Sequence, residues 1–456
     1  MGKFRQLLQR FFSGETFDYR AVFGLLGPVV VDQFFLVSFN FLNTAMIASS
    51  GAAAISAVNM VGSVNVFLIQ IFVAVGLGGT VLIAQYFGAG ERGRLGHVVN
   101  GTIYGAVLTG LVLAVVFGLL HNGILSALFG AASPAVMRNA RLYMLGVLFS
   151  YPFEALVEGT NGSLRGIGRT KNSLQLSLAM NVMYLCFNLI TITWLHLGVV
   201  GMIIALNLSR WLAAALAVWM LASHRDLFAL TWRLMRRVDW RMLQKVLVVC
   251  VPFAAEGVFF NGGKILIQMM IVMLGTQAIV TNAIVGSWAQ MSEIIPSALG
   301  TALVPIVGQC VGRHNLRDAR KITKSFVGLG IGAFVLGDSL LLALFKPGIR
   351  LFSPTPAILP VIFLSYCIFV GMHLLFWTVS FVLPNALRAA GDGKFTTIVS
   401  LASMWAFRVV GVYVFAVRMG YGVPGVCAIM GLEWGVRGGI FIRRFAGDKW
   451  YQNKLI

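Results

Sequence analysis

Two acidic residues fall where acids are costly. Asp32 and Glu256 each follow a proline by four residues, Pro28 and Pro252, inside long apolar runs. A charge at the centre of a lipid-facing helix costs ~2.5–3.5 kcal/mol, so such groups turn toward a protein interior or a water-filled path. A carboxylate in an apolar setting favours its protonated form, which suits a group that takes up a cation and later releases it. The spacing therefore predicts cation coupling by Asp32, by Glu256 or by both. The alternative is that each is locked in a fixed pair. Lys264 also lies mid-run and needs a carboxylate or water beside it. Glu256 is eight residues away, about 12 Å along a helix axis, too far for a simple pair. Glu293 or another acid on a neighbouring helix is the candidate partner, giving Lys264 a coupling or gating role or that of a fixed counter-ion.

These charges are exceptions in an apolar chain. Of 456 residues, 58% are hydrophobic and 11% charged, where a soluble domain carries about 25% charged. Too little polar surface remains to coat a globule of this size, so the apolar surface must face lipid. Runs of roughly 20 apolar residues predict an all-α integral membrane protein of twelve transmembrane helices. They cover approximately 21–48, 54–82, 97–120, 137–160, 171–194, 198–222, 242–273, 278–307, 322–345, 357–384, 395–418 and 422–442.

The net charge of +20 gathers in alternate short loops, such as Arg92 with Arg94, Arg165 with Arg169 and Lys171, and Arg313 with Arg317, Arg320 and Lys321. The intervening loops hold few basic residues. This positive-inside bias predicts that both termini are cytoplasmic, and it argues against nucleic acid as a partner. A multi-pass protein of the cell (plasma) membrane is expected, in a bacterium the cytoplasmic membrane, with the lipid bilayer and a small-molecule substrate as partners and a monomer as the working form. The first run is too long for a signal-peptide core. Ahead of it, Phe4, Leu7, Leu8, Phe11 and Phe12 recur at helical spacing beside Lys3, Arg5 and Arg10, predicting a cytoplasmic amphipathic helix within 1–20 that lies on the membrane surface. The five cysteines form no CxxC pair and no zinc spacing. No metal or cofactor is expected beyond the coupling ion, H+ or Na+, with Na+ possible at Asp32.

The chain repeats itself. At one fixed displacement Pro28 meets Pro252, Asp32 meets Glu256, Gly76 meets Gly300, Gln85 meets Gln309 and Gly88 meets Gly312. Later the displacement shortens by one position: Arg165 meets Arg388, Gly168 meets Gly391, and Lys171 meets Lys394. Six spans per half orient both halves alike, which predicts a pseudo-two-fold axis along the membrane normal and a site near the midplane between halves. The expected organisation is an N-lobe over 21–222, an inter-lobe loop over 223–241, a C-lobe over 242–445 and a tail over 446–456.

Gly78-Gly79-Thr80-Val81-Leu82-Ile83-Ala84-Gln85-Tyr86-Phe87-Gly88 ends the second span, and Val304-Pro305-Ile306-Val307-Gly308-Gln309-Cys310-Val311-Gly312 ends the eighth. With the twin turns Leu164–Lys171 and Leu387–Lys394, they make the whole chain resemble the multidrug and toxic compound extrusion (MATE) family. The resemblance implies efflux of drugs or metabolites driven by protons or sodium. Better-known members commonly carry an aspartate where this chain has Asn43, and acids near Phe260 or Asn261 and near Trp377. Those coupling acids do not carry over. Asn181 and Asn188 resemble asparagines that the family carries in the fifth span.

Other polar residues are candidates for the substrate cavity. Asn40 and Asn43 extend the face of Asp32, and Asn43 is eleven residues on, close to three turns. Asn59, Asn65 and Gln70 mark span two; Asn282 and Gln290 mark span eight. Interhelical hydrogen bonding is the competing explanation for all of them. Tyr151, Tyr184, Trp288 and Trp377 offer ring faces to a flat cation. His373, on an apolar face of span ten, reads as a structural histidine or as a proton relay beside the cavity. Glu433 with Arg437 forms an i,i+4 pair, and Glu154, Glu158, Arg210 and Arg408 read as pairs within a lobe or as end-of-helix residues. No HExxH, Walker or nucleophile-elbow motif is present, so an enzyme is not expected. The expected function is a secondary-active antiporter exporting small organic cations. The competing reading is a flippase of a lipid-linked precursor, which would need several basic residues inside the cavity.

Overall fold

The computed structural model describes residues 2–47, 52–130, 132–231, 237–352, 354–452 and 455. The described chain is helical throughout, with no strand among the described residues. A short helix, α1 (Gly2–Phe12), precedes the long apolar helices α2 (Tyr19–Ile47), α3 (Ala52–Gly88) and α4 (Arg92–Phe129). Then come α5 (Pro134–Phe149), α6 (Tyr151–Gly166), α7 (Thr170–Asn188) and α8 (Gly198–Ser223). The second half holds α9 (Trp240–Met273), α10 (Thr276–Gly312), α11 (Leu316–Ala343), α12 (Leu359–Met372), α13 (Gly393–Ala402) and α14 (Gly422–Ala446).

Among the described residues, 11 helices are long and apolar enough to cross a membrane. Most outrun the expected spans, because a helix continues into the loops after its apolar run ends. The expected fourth span, 137–160, is instead two helices of 16 residues each that meet at Ser150. Pro152 lacks an N–H for the preceding turn and its ring crowds the carbonyl four residues back, so the helix breaks there.

The repeat is written into the backbone. Left-handed φ values recur at Gly90 and His314, at His196 and Gly420, and at Gly198 and Gly422, each pair set apart by the displacement that aligns Pro28 with Pro252. Gly168 (φ 84°) and Gly391 (φ 98°) close the twin turns, where a side chain would meet the backbone. In both turns an arginine donates to a hydroxyl eight residues on: Arg165 Nε to Ser173 Oγ at 3.1 Å, and Arg388 Nε to Thr396 Oγ1 at 3.4 Å. π-helical turns recur as well, at Leu189–Trp194 and Tyr413–Arg418. The break at Ser150 has its counterpart at the equivalent place in the second half, the π turn His373–Trp377.

Compact packing forms two units, Phe34–Val258 and Met1–Gln33 with Phe259–Ile456. The divisions fall inside α2 and α9. Small residues explain why the first half of α9 packs in the unit 34–258. A Cβ on Gly78 would come 2.4 Å from Cys250 Sγ, and one on Gly101 would come 3.1 Å from the backbone of Leu243. His97 Nδ1 and Asp239 Oδ2, 2.6 Å apart, and Lys245 Nζ donating to Tyr86 at 2.7 Å, fix the start of α9. In the other unit α1 docks on α11 through its end. Phe12 packs on Phe326 at 6.2 Å, Ser325 Oγ donates to the carbonyl of Phe11 at 2.6 Å, and the N–H of Thr16 donates to Asp318 at 2.7 Å. The expected amphipathic helix is present, and its last residues are tied to a protein neighbour.

Candidate functional site

Each unit encloses charges. In the unit 34–258 the cluster forms around the break at Ser150. Arg210 on α8 reaches across to α6, its Nε 3.0 Å from Glu154 Oε2, and it also donates to Ser150 Oγ. Tyr151 donates to Asn65 Oδ1 on α3 at 2.6 Å and packs edge-on against Phe72. Tyr184 interacts electrostatically with Arg210 and lies beside Asn188 and Tyr143. The structure thus brings Asn65, Tyr151, Tyr184 and Asn188 into one polar cluster whose hub is Glu154 with Arg210. Asn181 turns back to its own helix, donating to the Ser177 carbonyl at 2.8 Å. Asn59 is exposed and Gln70 half-buried; Gln70 lies against α9, where a Cβ on Gly257 would come 3.1 Å from its own Cβ.

The other unit holds two clusters. Arg408 Nε donates to Glu433 Oε2 at 3.1 Å, Ser403 Oγ donates to Glu433 Oε1 at 2.6 Å, and Arg437 Nε stands 3.5 Å from Glu433 Oε1 and donates to Ser380 Oγ at 2.7 Å. The expected i,i+4 pair is present, but the closer partner of Glu433 comes from the π turn Ser403–Val409, 25 residues away in sequence. Arg408, Arg437 and Lys264 surround the Phe260 ring, 5.4, 5.6 and 5.4 Å from its centroid. Lys264 is exposed, and it interacts electrostatically with Arg408 and Glu293.

The second cluster is His373, Glu293 and Asp338. Nε2 of His373 is 3.3 Å from Glu293 Oε1, and Nδ1 is 3.4 Å from Asp338 Oδ2. Tyr366 donates to Asp338 Oδ1 at 3.4 Å. The imidazole stacks on Trp434 at 5.8 Å and lies 4.6 Å from Phe334. Asp338 was not among the residues that the sequence singled out, although it sits inside the expected ninth span and the cost argument used for Asp32 applies to it equally.

Several expected cavity residues are buried within their own unit. Tyr151, Asn188, Trp288, His373 and Trp377 are buried, because aromatic and amide side chains fill the space around the charged clusters. Asn282 is half-buried and Gln290 exposed. The side chains of Asn40 and Asn43 lie outside the described residues. Asp32 is buried and falls in the unit that includes 259–456, whereas Glu256 is half-buried and falls in the unit 34–258. Both make interactions within the protein. Among the described residues no group of three His, Cys, Asp or Glu side chains is arranged to hold a metal ion.

Long apolar helices in two repeated sets, with ionisable clusters enclosed in them, define a multi-pass membrane protein of the secondary-transporter class. The chain belongs to the MATE family: the MatE family model matches residues 28–190 and again 252–414, the two matches offset just as Pro28 is from Pro252. An uncharacterized transporter of Bacillus subtilis, YisQ, is 23% identical over 95% of this chain and 96% of its own length. A probable multidrug resistance protein of Thermotoga maritima, NorM, is 22% identical over 94% and 92%. Among solved structures, an outward-facing multidrug resistance MATE transporter of the MOP superfamily superposes with a TM-score of 0.86, at 17% identity over 97% of this chain and 98% of that one. A MATE in complex with MaL6 gives 0.87 at 16% identity, covering the same shares. Members of this family move small molecules through the lipid bilayer and are not enzymes.

Proposed function

We propose that this protein is an antiporter that exports small organic cations of amphipathic character in exchange for protons or sodium ions. The observation that carries this reading is the state of the mid-span arginines. Arg210 is held by Glu154, and Arg408 and Arg437 are both held by Glu433. A flippase for a pyrophosphate-linked lipid needs guanidinium or ammonium groups available to the anion. Here each guanidinium is engaged by a carboxylate of its own unit, Arg210 by Glu154 and Arg408 with Arg437 by the shared Glu433, which supports a passenger other than a pyrophosphate-linked lipid. The multidrug names of several relatives agree with that chemistry.

In this reading twelve spans form two lobes, 21–222 and 242–445, that alternate access around a central site, with both termini cytoplasmic. Asp32 and Glu256 take up the driving cation and release it when substrate binds, and Lys264 with Glu293 gates or balances the charge. The test is efflux of a cationic dye from proteoliposomes under an imposed proton or sodium gradient, for the wild type and for Asp32→Asn and Glu256→Gln singly. Loss of gradient-driven efflux in either variant is expected. Full activity in both removes these acids from the mechanism, and failure to move any cationic dye removes the exporter reading.

A further inference from the structure

We infer that His373 is a proton-relay residue of this transporter, its two ring nitrogens joining the partly exposed Glu293 to the buried Asp338. The inference rests on the antiport reading and deepens it, because it makes the driving ion a proton and adds a site to Asp32 and Glu256.

The geometry is that of a two-ended bridge. An imidazole can accept a proton on one nitrogen while giving one up from the other. Nε2 faces Glu293 at 3.3 Å and Nδ1 faces Asp338 at 3.4 Å, so each nitrogen has a different carboxylate. Access is graded along the line. The Glu293 side chain is 26% exposed, His373 0% and Asp338 1%. In the relay, Glu293 is the end that takes up and releases protons, and the ring passes them to Asp338.

The cluster is not built as a fixed network. Both ring nitrogens and Asp338 Oδ2 are buried at ion-pair distance from one another yet lack hydrogen-bond geometry. A structural cluster normally satisfies such atoms, since each unsatisfied buried polar group costs about 1–3 kcal/mol. Charge counting points the same way. With a neutral ring the two ionised carboxylates carry two negative charges in an apolar interior, which is costly unless neutralised. One added proton leaves one negative charge, and a second leaves none. The surroundings supply little else. Trp434, Phe334 and Phe369 face the ring as aromatics. Tyr366 donates to Asp338. Glu433 and Arg437 on α14 are engaged with each other and with Arg408. Lys264 interacts with Glu293, at the exposed end.

The step balances without any other reactant. The Glu293 carboxyl group gives its proton to Nε2, and Nδ1–H gives its own to Asp338 Oδ2. The ring ends neutral with its tautomer exchanged, and the reverse sequence returns the proton to Glu293. The π turn at His373–Trp377 places the ring there, a helix irregularity that often marks a functional position.

The experiment uses the full chain in proteoliposomes with ethidium as the probe. Two rates are read: ethidium counterflow with no ion gradient, and ethidium accumulation driven by a pH gradient. His373→Gln and Asp338→Asn are both expected to keep counterflow while driven accumulation falls about 100-fold, the lower range for loss of a positioned proton-transfer group, with the remainder insensitive to pH. Driven accumulation equal to wild type in both variants overturns the relay. So does loss of counterflow together with driven accumulation in both, which marks the cluster as structural. A wild type driven by sodium but not by protons overturns the relay and leaves the antiport reading standing. A wild type driven by neither gradient overturns both.

Discussion

Arg210 on α8 places its Nε 3.0 Å from Glu154 Oε2 on α6, with both side chains 8% exposed. The pair joins helices that no short-range pattern connects, at the break that interrupts the fourth expected span. Removing one member leaves a buried charge alone, which costs about 3–5 kcal/mol. Glu154→Gln or Arg210→Met should therefore lower the thermal midpoint of the detergent-solubilised protein strongly. The double variant should lose much less than the sum, and additive losses would show that the pair is not coupled.

Gly162 lies where a Cβ would come 2.2 Å from the carbonyl oxygen of Gly76, and Thr80 Oγ1 donates to the carbonyl of Gly162 at 2.9 Å. Backbone cannot give way cheaply, so Gly162→Ala should force α3 and α6 apart and cost about 1–3 kcal/mol. Gly118 is also inside a helix but has open space around it. Gly118→Ala should be neutral or stabilising, by up to about 1 kcal/mol. Thermal unfolding of the two variants side by side reads the contrast.

The start of α9 should depend on pH. Burial pushes the Asp239 carboxyl up, but the N–H of Met242 and the ring of His97 outweigh it, and the group ends below its ordinary value of 3.8. A carboxylate lowered in the folded state stabilises it fully above the ordinary value, and the contribution disappears as pH falls through the lowered one. Hydrogen exchange over residues 237–245, taken relative to the intrinsic amide rate at each pH, should be flat from neutral pH down to about the ordinary carboxylate value and rise below it. Asp239→Asn should remove the acid-induced rise; an unchanged rise would place its origin elsewhere.

Asp318 is one of the groups on α11 that hold the N-terminal segment. Asp318 accepts from the N–H of Thr16, and a Cβ on Gly14 would come 2.2 Å from Asp318 Oδ1. Gly14→Ala should displace the Asp318 side chain and release the segment, and Asp318→Asn should weaken the same bond. Faster hydrogen exchange over residues 2–20, with α10 unchanged, is the expected result in both variants.

Much of the architecture was legible in the sequence. Lipid offers backbone groups no partner, so a spanning segment must be a long apolar helix, and among the described residues such helices appear where the apolar runs predicted them, the fourth span excepted. The repeat was legible because its marks are local. Gly168 and Gly391 close the twin turns, and each turn fixes its own arginine–hydroxyl bond. The i,i+4 relation of Glu433 to Arg437 was legible for the same reason.

Tertiary structure alone decided which charges meet. Arg408 and Glu433, Arg210 and Glu154, and His373 with Glu293 and Asp338 are brought together from different elements. A spanning helix is apolar around most of its circumference, so it lacks the single stripe that tells a soluble helix which face to bury. Rotation and neighbour choice are then set by close approach at small residues and by polar contacts between helices. Gly78 and Gly101 let α9 settle into the unit 34–258, and no periodicity in the chain could have placed it there.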